Sequence, residues 1–246
     1  MSDKEYSAPP SRIYPLDSSP TIELAKSWLH DCDLIHRRCY TKNSGISAVP
    51  SRLIDLGTLE YSHLRLIFRK DYFQSQLQSL PEHPRVNDGR YMTLSHCWGA
   101  PSDFQQRACT TKNNIEARKS NIDIAILPKT FQDAIKITRY LGVRFLWIDT
   151  LCIVQDDAQD IDQEYTAMKD IFLGSYCTIA ASDSHDGNGG CFVPIKIPSV
   201  TCCSFECHSS DRSKSAEISV YQGFDEWSTS IIGPLQRRGW VSYLPD

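Results

Sequence analysis

The sequence predicts an α/β fold, a parallel sheet with helices on its faces, preceded by an N-terminal helical and hairpin extension. Its 246 residues, 41% hydrophobic and 10% aromatic, are enough to bury a sizeable core. Between residues 130 and 181 the apolar pattern runs helix, strand, helix, strand, the order of right-handed βαβ crossovers. A β-rich run, Tyr91 to Ser95 (YMTLS), stands ahead of that series and supplies its first strand.

Each element has a local reason. Residues 1–20 are polar and rich in Pro and Ser, which predicts a flexible arm. Leu24, Trp28 and Ile35 fall at helical spacing among Ala25, Leu29 and Leu34, so a helix is expected from Ile22 to Cys39, before Asn43, Ser44 and Gly45 break the chain. Arg52 to Asp55 and Leu64 to Phe68 are short apolar runs separated by Gly57, a strand pair packing on the main domain. The loop PEHPRVNDG, Pro81 to Gly89, closes this 21–89 extension, and the domain core is placed at 90–246.

After the first strand, Trp98-Gly99-Ala100-Pro101 must leave the sheet, and Phe104 to Ser120 is polar and helical in pieces. Thr130 and Asp133 have capping-box spacing, and Phe131, Ala134, Ile135, Thr138 and Leu141 then repeat as one helical face until Gly142 ends it. Val143 to Asp149 (VRFLWID) is too short for another helix and is expected as a buried strand. Ile161, Tyr165, Met168 and Phe172 mark the next helix, up to Gly174, and Tyr176 to Ala181 the third strand. Residues 182–192 form a Gly-rich turn, and Cys191 to Tyr221 reads as an insertion of short β segments.

Composition excludes several partners. There are 26 Lys and Arg against 30 Asp and Glu, a net charge of −4, which argues against a nucleic-acid surface. No apolar stretch reaches the roughly 18 residues of a membrane span, and the N-terminus lacks the basic start and apolar run of a secretory signal. A cytoplasmic protein is expected. Its ten cysteines fall well short of the roughly 8–10% density of a secreted disulfide scaffold, so reduced thiols are the default.

In an open parallel sheet, ligands bind beyond the carboxyl ends of the strands. That rule selects Ser95, His96, Cys97 and Trp98, then Asp149, Thr150 and Cys152, then Ser182, Asp183 and His185. Hydroxyls, a carboxylate and an indole together suit a ribose or another polyol ring. Asp149 fits equally well as a loop-fixing or helix-capping acid, and Trp147, inside a strand, reads as core. Ser95, His96 and Cys97 are successive residues whose side chains alternate between faces, which disfavours a nucleophile–base pair, and no G-x-S-x-G elbow is present.

Cys202, Cys203, Cys207 and His208 lack the two separated ligand pairs of structural zinc. The glycines 187, 189 and 190 match neither a P-loop nor a dinucleotide fingerprint. Asp156, Asp157, Asp160, Asp162 and Glu164 could hold a cation, although carboxylates at a helix start are favoured by the helix dipole in any case. Asp156 and Glu164 are retained as pocket candidates, Glu164 because its helix packs beside the strand bearing Asp149.

Three blocks resemble the fungal heterokaryon-incompatibility (HET) domain: YMTLSHCWG (Tyr91 to Gly99), LPKTFQDAIKITRYLGVRFLWIDTLCIVQDD (Leu127 to Asp157) with its continuation through Glu164 and Met168 to Ala181, and GPLQRRGW (Gly233 to Trp240). The segment from Trp28 to Asp55 is similar to the family's lead-in. The resemblance implies a role in non-self recognition and programmed cell death, and a flavodoxin-like sandwich distantly similar to the Toll/interleukin-1-receptor (TIR) domain. Some members of that distant relative cleave NAD, so NAD enters as a candidate substrate, with no cofactor required.

The third block adds Arg238 and Trp240 to the pocket candidates Ser95, Trp98, Asp149, Asp156 and Glu164. The family pattern there continues R-G-W-x-x-Q-E, whereas this chain reads Val241-Ser242-Tyr243-Leu244-Pro245-Asp246. The family's glutamine and glutamate are absent, and Pro245 would stop a further helix. The expectation is a core shortened at its C-terminus. The alternative function is a catalytically inactive module that self-associates or binds other incompatibility proteins.

Overall fold

The computed structural model describes residues 19–36, 50–57, 63–71, 90–100, 108–192 and 233–235, and the backbone of 202–208 and 215–221. Helix α1 spans Ser19–Leu34. It begins ahead of the expected Ile22 because Pro20, in its first turn, loses no helical hydrogen bond there; residues 37–39 of the expected helix lie outside the described residues. Asp33 anchors α1 to the sheet. Its carboxylate accepts from Arg90 Nη1 at 2.6 Å and from the Tyr176 hydroxyl at 3.0 Å, and the Arg90 guanidinium lies 4.4 Å over the Tyr176 ring.

The strands are β1 (Arg52–Asp55), β2 (Arg65–Phe68), β3 (Tyr91–Ser95), β4 (Phe145–Trp147) and β5 (Cys177–Ala180), in the sheet order β2-β1-β4-β3-β5. β3 runs parallel to both β4 and β5. The expected hairpin forms, but it continues this sheet: β1 is antiparallel to β2 and to β4. The sheet is therefore mixed and the fold is α/β with a partly parallel sheet, a correction to the wholly parallel sheet expected.

Charge fixes the antiparallel side. Asp55 accepts from Arg144 Nε and Nη2 at 2.7 and 2.9 Å, from Arg65 Nη2 at 3.2 Å and from Gly57 N at 3.0 Å, while Leu56 N donates to Arg144 O at 2.9 Å. This tie joins the end of β1 to the start of β4, two segments separated by some 90 positions in the chain.

β3 and β4 are buried along their whole length, which is why YMTLS and FLW show no alternation. β5 alternates between half-buried and exposed positions, as an edge strand does. The core gathers Leu53, Ile54, Met92, Leu94, Phe145, Leu146 and Trp147 from the sheet and Phe131 and Ile135 from helix α3 (Lys129–Tyr140). Trp147 is fully buried and meets Phe172 edge-on at 5.6 Å, in the core role expected of it.

Helix α2 (Ile115–Ser120) is a helical piece within Phe104 to Ser120; residues 101–107 lie outside the described residues. α3 ends at a Schellman motif: Gly142 N donates to Arg139 O, Val143 N to Thr138 O, and Gly142 takes φ +77°. Its start differs from the expected capping box. Pro128 occupies the N-cap position, and Thr130 and Asp133 instead hold the Gly-rich loop. Gly190 N donates to Thr130 Oγ1 at 3.0 Å, Cys191 N to Asp133 Oδ2 at 3.0 Å, and Thr130 N to Gly187 O at 2.9 Å.

β4 is shorter than the strand expected over Val143 to Asp149, because Asp149 opens a single-turn helix, α4 (Asp149–Cys152). Helix α5 (Ala158–Leu173) follows, capped by the Asp157 carboxylate, which accepts from Gln159 N at 3.2 Å. The β segments expected after Cys191 are an antiparallel pair, β6 (Cys202–His208) and β7 (Ser215–Tyr221). Among the described residues, no helix is long and apolar enough to cross a membrane.

Candidate functional site

The parallel register of β3 and β4 sets Thr93 opposite Trp147, so the two strands emerge together at their carboxyl ends. There the chain has turned out of the sheet on one side and entered α4 on the other, and Trp98 Nε1 donates to Asp149 Oδ2 at 2.8 Å. Residues 51 positions apart thereby meet at one rim.

Asp149 does two things at once. Its Oδ1 accepts from Thr150 N at 2.6 Å and from Thr150 Oγ1 at 3.1 Å, which fixes the first turn of α4, while Oδ2 holds the indole. The loop-fixing role expected as one alternative is present, and the same carboxylate joins Trp98 at the strand ends. His96 Nδ1 stands 3.8 Å from Asp149 Oδ1. The His96 ring lies nearly parallel to that of Trp98, centroids 6.4 Å apart, and meets Phe131 edge-on at 4.9 Å.

These rings, with Cys109, Thr150 and Gly187, line a recess of about 20 Å³. That space suits a water and is smaller than an aromatic ring. Burial pushes the Cys109 thiol up; nearby Arg118 partly opposes this and the Asp149 charge reinforces it. The wholly buried Cys152 is pushed up to about 12, again chiefly by burial. Neither cysteine is an activated thiolate.

The third strand completes the rim. Ser95 is buried opposite Ala180, and its carbonyl accepts from Ala181 N at 3.0 Å. The start of the third sequence block comes to the same edge: Leu235 N donates to Ser182 O at 3.3 Å, and Gly233 packs so closely on Ser182 that a Cβ there would lie 2.3 Å from its carbonyl oxygen.

Of the other sequence candidates, Asp156 is exposed and accepts from Lys112 N at 2.8 Å, which ties the turn after α4 to residue 112. Glu164 is buried on α5 and faces Arg52. Arg238 and Trp240 lie outside the described residues. The structure thus brings Trp98 and Asp149 together, places Ser95 at the carboxyl end of β3, the strand that leads into Trp98, and engages Asp156 and Glu164 in other contacts. Sequence reasoning missed Phe131 and Cys109 as walls of the recess, since an apolar helix position and an isolated cysteine carry no signal of a site.

From beneath, Arg52 Nε donates to Cys152 O at 2.6 Å, and its Nη2 reaches Asp160 Oδ1 at 2.6 Å. Asp160 Oδ2 in turn accepts from Val154 N at 2.8 Å. Thr110 Oγ1 donates to Leu151 O at 2.6 Å and accepts from Arg118 Nη1 at 3.1 Å. The α4 turn is therefore held by buried charged and hydroxyl groups on either side.

The family model described as heterokaryon incompatibility protein (HET) matches residues 91–242, more than half of the chain, a span that includes β3, Trp98, α3, β4, Asp149, α5, β5 and the 233–235 segment. No curated protein and no solved structure matches the chain. The chain belongs to the heterokaryon incompatibility (HET) family, and its function is of the heterokaryon-incompatibility type.

Proposed function

We propose that this chain is an effector of fungal non-self recognition and programmed cell death, acting in the cytoplasm, and that its working surface is the rim carrying Trp98 and Asp149, which takes a nucleotide of the NAD class. The observation that supports this is the Trp98–Asp149 hydrogen bond at the carboxyl ends of parallel strands. It presents a braced indole where α/β sheets bind ligands, with a carboxylate and a histidine alongside. The parallel β4-β3-β5 portion supports reading the core as a flavodoxin-like, TIR-like sandwich.

Because the recess holds no ring, the base or nicotinamide stacks on the open part of Trp98, with the sugar hydroxyls toward the rim's polar groups. The Asp149 carboxylate already accepts three hydrogen bonds, so it positions the site and is not the nucleophile. The test is calorimetric titration of the pure chain with NAD, alongside nicotinamide release. Saturable binding that disappears in Trp98→Ala, with that variant's melting temperature near the parent's, is expected. Absence of binding by the folded parent refutes the nucleotide part of the proposal.

A second reading, self-association without turnover, is favoured by one observation: Trp28, Leu34 and Ile35 of the first helix and its end, and Tyr140 at the end of α3, are large apolar side chains more than half exposed. Sedimentation over a range of concentrations separates the two. A strict monomer that binds NAD excludes self-association, whereas a concentration-dependent oligomer indifferent to NAD supports it.

A further inference from the structure

At the junction of β1 and α5 one guanidinium faces two carboxylates, one half-buried and one buried. Arg52, 8% exposed, directs Nη2 to both oxygens of Asp160, at 2.6 and 2.5 Å, while Glu164 Oε1 remains 3.9 Å from the same nitrogen. Glu164 is 2% exposed, and its Oε2 has no hydrogen-bond partner among the described residues. A buried carboxylate oxygen without a donor is among the costlier arrangements in a protein interior, and a single cation already committed to a neighbour does not neutralise a second anion.

We propose that this junction is a proton-linked latch on the α4 turn: ionisation of Glu164 draws Arg52 off Asp160 and loosens the turn that carries Asp149. The connection is direct, since Arg52 also holds Cys152 O and Asp160 holds Val154 N, the residues at and just beyond the end of α4.

The groups facing Glu164 are Ser51 and Arg52 at the start of β1, Arg69 beyond β2, Asp160 on its own helix and the Cys152 thiol on α4. Burial raises the Glu164 carboxyl above its ordinary 4.5; Ser51, Arg52 and Arg69 oppose this, and Asp160 reinforces it. A raised carboxyl binds its proton more tightly when folded. The stability it contributes is complete below the unfolded value and is lost as pH rises through the folded one.

The test compares melting temperature against pH for the full chain and for Glu164→Gln, which keeps the shape and removes the ionisation. The parent is expected to lose several degrees more than the variant between about pH 5 and about pH 9. The Trp98 indole N–H resonance, assigned with Trp98→Phe, is expected to move with pH in the parent and stay fixed in Glu164→Gln. Equal pH slopes in the two proteins, or an indole resonance that moves alike in both, overturns the proposal. If Glu164→Gln does not fold, infrared spectroscopy of the parent decides: a buried protonated-carboxyl band that persists above the ordinary carboxylate range and is lost as pH rises further supports the latch, and no such band above that range refutes it.

Discussion

Asp55 shows how one side chain can set a strand's place. It is 3% exposed and receives Arg144, Arg65 and the Gly57 N–H. Burial by itself pushes its carboxyl up, yet the hydrogen bonds and charge of Arg144, with Gly57 and Arg65, outweigh that and hold it below its ordinary 3.8. Its contribution to stability is therefore present at neutral pH and lost as pH falls through the lowered folded value. Asp55→Asn, which leaves Arg144 half-buried and without its anion, is expected to cost about 3 kcal/mol in chemical denaturation at neutral pH. The deficit should shrink as pH falls below the ordinary carboxylate range. A loss unchanged by pH would show that the charge of Asp55 contributes nothing.

At the scale of elements, two glycines separate backbone strain from steric conflict. Gly142 closes α3 at φ +77° with nothing within 4 Å of where a Cβ would sit, so Gly142→Ala is expected to cost about 1 kcal/mol from conformation alone. Gly190 has φ +83°, and a Cβ there would also lie 2.6 Å from Asp133 Oδ2, the oxygen that receives Cys191 N. Gly190→Ala is expected to cost more than Gly142→Ala and to release the Gly-rich loop from α3, visible as faster amide exchange at Cys191. Equal losses would remove the loop's claim to be seated by that contact.

The same elements show why some of the fold was legible. The helix ending at Gly142 and the strand YMTLS could be read because their signals are local, a repeat of apolar positions and a helix-ending glycine. The capping-box expectation fails for the opposite reason. Thr130 and Asp133 do form hydrogen bonds to backbone, but the donors arrive from residues 190 and 191, which spacing within the helix does not reveal. Likewise the antiparallel pairing of β1 with β4 depends on Asp55 meeting Arg144, a long-range contact invisible in either segment by itself.

Across the whole molecule, parallel strand direction turns distant residues into neighbours. Because β4, β3 and β5 share one sense, Trp98, Asp149 and Ser182 arrive at one edge, where residues 233–235 join them. Trp98 and Asp149 could be picked out beforehand by the rule that ligands sit beyond strand ends. Phe131 and Cys109 could not, since their place on the rim depends on how α3 and the segment before α2 pack. The sequence indicates that Glu164 lies on a helix beside β4, but its surroundings, an arginine from β1 and a second acid, emerge only in three dimensions.

The joining of Trp98 to Asp149 is the claim on which the site rests. It is tested most directly by hydrogen exchange at the Trp98 indole N–H, followed by NMR in the full chain and in Asp149→Ala. With the bond present, that proton exchanges slowly in the parent and much faster in Asp149→Ala, while the buried Trp147 indole is unchanged. Equal, rapid exchange of the Trp98 indole in both proteins would contradict the rim.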